Sequence, residues 1–384
     1  MRRLLIITAG RSDYGIYRPI LDRIEAEPEL DYALLVTGQH LSSSGGETVR
    51  EIERDGRPIA ARIRLPETSS SQAAVADAMA VALAETGKLV AHGNFDIVVA
   101  LGDRFEMFSA MAACVPFNIP LAHIHGGEVS FGAIDDTLRH AMTKMAHLHF
   151  AANEDYARRI RQMGEEDWRI KVSGAPALDT IMKADLPDRA TLSRQFGLPL
   201  DEAPLLITFH PVTRQFGEAE RQTRALLSAL RAVDLPIVLT APNADAEGDV
   251  IRALFAEFLQ QRPKRAWFVE SFGSMNYLAM LREARAVVGN SSSGLIETPG
   301  FRLPTVNIGD RQMGRTRGAN VIDCTDDADA IEIAIRKAVD PAFRASLADM
   351  VNPYGDGKAA ERIVTTLRDV TIDKRLVAKV FVDR

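Results

Sequence analysis

Short apolar runs and helix-period segments alternate along the whole chain, and this alternation limits the possible folds more than any other feature. Residues 4–8, 32–36, 96–101, 119–124 and 147–151 are strand-like runs in which apolar and β-branched residues dominate. Strands covered on both faces read this way, because neither side meets water. Between them lie segments of helical period. Ile16, Ile20 and Ile24 share a face, with Pro19 expected to bend the first turns. Residues 73–90 are Ala-rich, and residues 105–113 and 136–146 follow the same period. In the last of these Leu138, Ala141, Met142 and Met145 form a core stripe, with Asp135, Arg139, His140 and Lys144 off it. A second series repeats the pattern at residues 205–208, 237–240, 267–269, 286–288 and 304–308. The reading is α/β: two doubly wound, Rossmann-like domains facing a cleft.

A chain of 384 residues exceeds the size at which one core stops growing. Residues 1–172 are expected to form the N-terminal domain, 173–203 a linker marked by Pro176, Pro187 and Pro199, and 204–353 the C-terminal domain. Residues 354–384 are expected to be a helix and tail that pack back on the first domain. Residues 38–46 read as a flexible loop. The net charge of −6 supplies no basic field for nucleic acid or a membrane surface. The first apolar run is too short for a signal peptide or a spanning helix. Two cysteines, Cys114 and Cys324, favour reduced thiols in a cytoplasmic protein over a disulfide framework.

Ligands of open α/β sheets gather at the carboxyl ends of the strands, and there the chain places its reactive side chains. One apolar run ends in Gly102-Asp103-Arg104, another in His123-Ile124-His125-Gly126-Gly127-Glu128, and a helix then opens on Asp135-Asp136. Taken singly, Asp103 reads as a turn residue and Asp135 as a helix cap. Their convergence with Arg104, His125, Glu128 and His210 points to acid–base chemistry on an anionic substrate. Five of the eight histidines fall between His123 and His149, yet no His-x-x-x-His or Cys pairing supports a metal. Arg11, between a strand end and a helix start, fits either a phosphate clamp or a solvated surface position. Asn290-Ser291-Ser292-Ser293-Gly294 fits a diphosphate-binding turn, with Glu297 toward ribose hydroxyls. It also fits a helix cap with Gly294 as N-cap and Glu297 at the third helical position.

These motifs, with Gly132-Ala133-Ile134-Asp135-Asp136, Arg139-His140 and residues 306–315, resemble the hydrolysing UDP-N-acetylglucosamine 2-epimerases over about the whole chain. The resemblance implies a GT-B-like fold and a reaction in two stages. A base removes the C2 proton while the nucleoside diphosphate leaves C1, giving a 2-acetamidoglycal, and water then adds with inversion at C2. It implies Asp103 and Asp135 in proton transfer, with His125, Glu128 and His210 near the reaction. Arg11, Arg104, His210, Ser291 and Ser292 would hold the diphosphate, Glu297 the ribose, Phe272 the base and Arg311 the sugar or phosphates. Some relatives carry a carboxylate where His125 stands. No cofactor or metal is implied, and a homodimer or homotetramer is. The expected substrate is UDP-N-acetylglucosamine, giving N-acetylmannosamine for sialic acid. The alternative is a UDP- or GDP-linked N,N'-diacetylbacillosamine on the route to legionaminic acid. A GT-B glycosyltransferase and a silent sugar-nucleotide sensor are the readings from other classes.

Overall fold

The computed structural model describes all residues except 43–47, 67–71, 130–133, 184, 213–214 and 243–246, and leaves out the side chains of 134, 183 and 274. Two compact units emerge: Met1–Val129, Ala133–Thr180 and Tyr354–Arg384 make the first, and Ile181–Pro353 falls in the second.

The first unit is built on a seven-stranded parallel sheet. Its strands are β1 (Arg2–Thr8), β2 (Leu30–Thr37), β3 (Ile59–Ile63), β4 (Ile97–Leu101), β5 (Leu121–Ile124), β6 (Leu148–Ala151) and β7 (Ile170–Val172). They lie in the order β3-β2-β1-β4-β5-β6-β7. Alternate side chains of β1 serve opposite layers. Leu4 and Ile6 pack with Tyr17, Ile20, Ile363 and Leu367, while Leu5 and Ile7 pack with Met107, Met111 and Met142. Both faces are therefore dry, as continuous apolar strands require. The terminal helix Ala359–Asp369 belongs to the first of these layers. It is tied down at its start, where Asp179 accepts from the backbone N–H groups of Ala359 and Ala360, each at 2.8 Å.

The second unit carries a six-stranded parallel sheet. It comprises β8 (Leu205–Thr208), β9 (Ile237–Thr240), β10 (Ala266–Val269), β11 (Ala286–Gly289), β12 (Thr305–Ile308) and β13 (Val321–Cys324). The order is β10-β9-β8-β11-β12-β13. In each sheet the winding reverses once, between β1 and β4 and between β8 and β11, and crevices for ligands open at such reversals.

Several local expectations change. Gly38–Leu41 is a short 3-10 helix rather than loose chain, with the imidazole of His40 anchoring it between Thr8 Oγ1 and Thr48 Oγ1, each at 2.8 Å. The rest of that expected loop, residues 43–47, lies outside the described residues. Pro19 sits inside an uninterrupted helix, Arg11–Glu25. Ser292, not Gly294, is the N-cap of the four-residue helix Ser293–Ile296, and Glu297 closes that helix at its C-terminal end. Among the described residues no helix is long and apolar enough to cross a membrane.

Candidate active site

At the first reversal, the ends of β1 and β4 bring Gly10, Asp13, Asp103, Arg104 and Glu106 together. Arg104 donates from Nη2 and Nε to the carboxylate of Glu106 at 2.9 and 3.3 Å. Its Nη1 lies on the side of Gly10, where an added Cβ would sit 3.9 Å from both Arg104 Nη1 and Asp13 Oδ2. Arg11, the first residue of the helix after β1, is exposed.

Asp103 is paired with Arg139, a buried guanidinium from the helix Ile134–Met145. Asp135 opens the same helix, and four residues bring Arg139 under the same face. Burial pushes the Asp135 carboxyl up, and the charge of Asp103 pushes it further, against the pull of Arg139. Two neighbouring carboxyl groups thus sit in different electrostatic settings, one against a guanidinium and one driven toward its neutral form.

β5 ends in two histidines with separate duties. His123 is fully buried, with Nε2 2.7 Å from the Gly102 carbonyl and Nδ1 3.2 Å from Thr143 Oγ1. Burial drives it down to about 3, so it is a neutral structural group that fixes the turn carrying Asp103. His125 has φ of 65°, a left-handed conformation that costs a non-glycine residue on the order of 1 kcal/mol. That twist turns its ring onto Glu128, with Nδ1 2.6 Å from Oε1. A carboxylate on Nδ1 holds a proton there and turns the Nε2 edge of the ring away from Glu128. No set of three or more His, Cys, Asp or Glu among the described residues is arranged to hold a metal ion.

In the second unit, Asn290 ties together three strand ends. Its Oδ1 accepts from the His210 N–H and its Nδ2 donates to the His210 carbonyl, each at 2.8 Å. Its own carbonyl accepts from Arg311 Nη1 at 3.1 Å and Gln312 Nε2 at 2.9 Å. Gly289 makes this approach possible: with φ of 152°, an added Cβ would lie 2.0 Å from the Thr208 carbonyl. Burial, and then the charge of Arg311, push His210 down to about 3. It therefore offers a neutral imidazole beside a guanidinium.

Ser291 and Ser292 follow Asn290, half-buried, and Ser291 Oγ accepts from the Ser293 N–H at 3.4 Å. Ser293 Oγ donates to Tyr277 Oη at 3.0 Å. Burial pushes the Glu297 carboxyl up, with a hydrogen bond from Ser293 opposing it. Phe272 is buried, its ring centroid 4.6 Å from that of Phe196.

The structure thus gathers Asp103, Arg104, Asp135, His125 and Glu128 on one sheet's strand ends or the helix behind them. Its second sheet carries His210, Ser291, Ser292, Glu297 and Arg311. Asp13, His40 and Tyr277 are not singled out from sequence, and Asn290 and Glu106 enter only as members of motifs, without a role of their own. Glu106, two residues after Arg104, carries a usable signal, and the burial of Asp13 and the hydrogen bond of Tyr277 to Ser293 are purely tertiary.

A family model described as UDP-N-acetylglucosamine 2-epimerase matches residues 22–368. UDP-N,N'-diacetylbacillosamine 2-epimerase (hydrolyzing) of Legionella pneumophila is 33% identical over 380 residues, 99% of each chain. GDP/UDP-N,N'-diacetylbacillosamine 2-epimerase (hydrolyzing) of Campylobacter jejuni is 33% identical over 384 residues, 100% of this chain and 99% of the relative. The crystal structure of UDP-GlcNAc 2-epimerase from Neisseria meningitidis bound to UDP-GlcNAc superposes with a TM-score of 0.81. It shares 15% identity and covers 96% of this chain and 99% of its own. With a family match across nearly its whole length and full-length relatives at this identity, the chain belongs to the UDP-N-acetylglucosamine 2-epimerase family.

Proposed function

We propose that the protein is a hydrolysing 2-epimerase of a UDP- or GDP-linked N,N'-diacetylbacillosamine, releasing 2,4-diacetamido-2,4,6-trideoxymannose and the nucleoside diphosphate. One observation carries the choice of donor: two relatives named for that hydrolysis align with this chain end to end at 33% identity. UDP-N-acetylglucosamine, the donor first expected from the motifs, becomes the second reading.

The C2 proton of the sugar is not acidic, so cleavage of the C1–O bond has to run ahead of its removal. Charge must then be stabilised on the departing diphosphate and on the ring. Asp103, facing Arg139, is the carboxylate that takes the C2 proton. Asp135, driven toward its neutral form by burial and by Asp103, is the acid that returns a proton when water adds across the glycal. The His125–Glu128 pair orients that water through the imidazole, whose Nδ1 is held by the carboxylate. Arg11, Arg104, His210, Ser291, Ser292 and Arg311 are assigned to the diphosphate. Glu297 is assigned to the ribose and Phe272 to the base edge. Location in the cytoplasm and a homodimer or homotetramer complete the proposal, and light scattering after gel filtration tests the latter.

The decisive assay supplies purified protein with UDP- and GDP-2,4-diacetamido-2,4,6-trideoxyglucose and with UDP-N-acetylglucosamine, and follows free nucleoside diphosphate. Turnover of a diacetamido donor at higher kcat/KM than UDP-N-acetylglucosamine is expected. The reverse order replaces the substrate, and release from none of them removes the enzyme reading.

A further inference from the structure

We propose that Asp13 is a proton-exchanging positioning residue for Arg104. Its carboxyl takes up a proton from solvent when the diphosphate of the nucleotide docks against Arg104, and releases it when the nucleotide leaves. The inference rests on the proposed function, which assigns Arg104 to the diphosphate.

The geometry is that of one guanidinium between two buried carboxylates from different elements. Glu106, at the start of the helix Phe105–Cys114, is 2% exposed, and Asp13, in the first turn of the helix Arg11–Glu25, is 6% exposed. Glu106 holds Arg104 through two hydrogen bonds. Asp13 lies on the Gly10 side of Arg104, where its charge couples to the guanidinium, and it accepts long hydrogen bonds from Ala9 N–H and Ser12 Oγ, each 3.3 Å. With both carboxyls ionised the trio carries a net charge of −1, a field that repels the anion Arg104 is there to bind. One proton cancels that field without moving the arginine.

The charged and titratable neighbours leave Asp13 as the group to take it. Asp103 and Glu106 add negative charge near Arg104. Asp135 couples to Asp103 and Arg139 ahead of Arg104. His40 is pushed down to about 4 by burial and by Arg104, so it stays neutral. Tyr17 is pushed well up by burial and by the charge of Asp13, so it keeps its proton. Burial pushes Asp13 itself up to about 6, against the pull of Arg104 and of the Ala9 N–H. An arriving anion raises it further, into the range where it protonates at neutral pH.

Calorimetry of UDP binding at pH 7, in buffers of differing ionisation enthalpy, counts the protons exchanged. The terminal phosphate of UDP contributes equally to wild type and Asp13→Asn, so the difference isolates Asp13. Wild type is expected to take up about one proton more per UDP than Asp13→Asn. At pH 8 the variant is expected to bind UDP on the order of fiftyfold more tightly, because it has no charge to neutralise, with the gap closing below pH 6. A group that merely caps its helix produces neither result. Asp13→Ser provides the same comparison if the amide variant folds poorly. Equal proton counts and equal affinities overturn the proposal while leaving the functional reading standing. Failure of wild type to bind UDP overturns both.

Discussion

Replacing Asn290 with alanine should loosen the second unit's strand ends by an amount the structure allows one to work out. The side chain, 1% exposed, makes two hydrogen bonds, both to the backbone of His210. Its own carbonyl, which receives Arg311 and Gln312, survives the change, so the variant removes the His210 clamp alone. Each neutral bond contributes about 1–1.5 kcal/mol, and the partners at His210 are only part-buried, so water recovers some of what is lost. The expected cost is about 1–2 kcal/mol. The chain has two tryptophans, Trp168 in the first unit and Trp267 in the second. In a Trp168→Phe background, Trp267 fluorescence in urea reports the second unit alone, which avoids assigning one free energy to two domains. UDP affinity should fall as well, because His210, assigned to the diphosphate, loses both backbone bonds that hold it. Asn290→Asp keeps the acceptor for the His210 N–H but sets a carboxylate against its carbonyl, and should cost at least as much. A loss below about 0.5 kcal/mol with unchanged UDP affinity would refute the clamp.

Asp103→Asn should lower kcat by at least about a thousandfold and change UDP affinity less than threefold, as removal of a proton-transfer group does; steady-state kinetics with calorimetry separate the two, and turnover within tenfold of wild type sinks the assignment. Burial would raise Glu165, but hydrogen bonds from His149, Lys144 and Lys379 prevail and hold it at about 2. A carboxyl so depressed contributes stability that is complete above its unfolded value and is lost as pH falls through about 4 toward 2. Glu165→Gln should therefore destabilise at pH 7 and converge with wild type near pH 2, measured by urea midpoints; a constant difference contradicts the linkage. Asp179→Ala deprives two helix-start N–H groups of their acceptor and should cost about 2–4 kcal/mol. Limited proteolysis should then cut first near residues 354–358, and an unchanged cleavage pattern argues otherwise.

Much of this was legible because buried parallel strands leave a signature in the chain. Residues 4–7 and 97–101 are continuous apolar runs, and each leads to a turn beside the reversal of the sheet. The short outer strands of the first sheet were not legible. β3 reads Ile-Ala-Ala-Arg-Ile and β7 Ile-Lys-Val, both partly exposed, and an edge strand with a wet face loses the apolar run. Asp103, Asp135, His125 and Glu128 could be picked out by position at strand ends. What each does could not be, because the difference between Asp103 and Asp135 depends on a guanidinium 36 residues away in one case and on burial in the other. Asp13 was passed over for the same reason: in sequence it is an ordinary first-turn acid, and only the fold buries it beside Arg104.

The central claim is that the chain breaks the C1–O bond, passes through a glycal and returns water with inversion at C2. Proton NMR of the reaction in D₂O with UDP-2,4-diacetamido-2,4,6-trideoxyglucose tests it most directly. The account predicts free 2,4-diacetamido-2,4,6-trideoxymannose carrying deuterium at C2, formed together with UDP. A released sugar that keeps its C2 proton and its original configuration would contradict it.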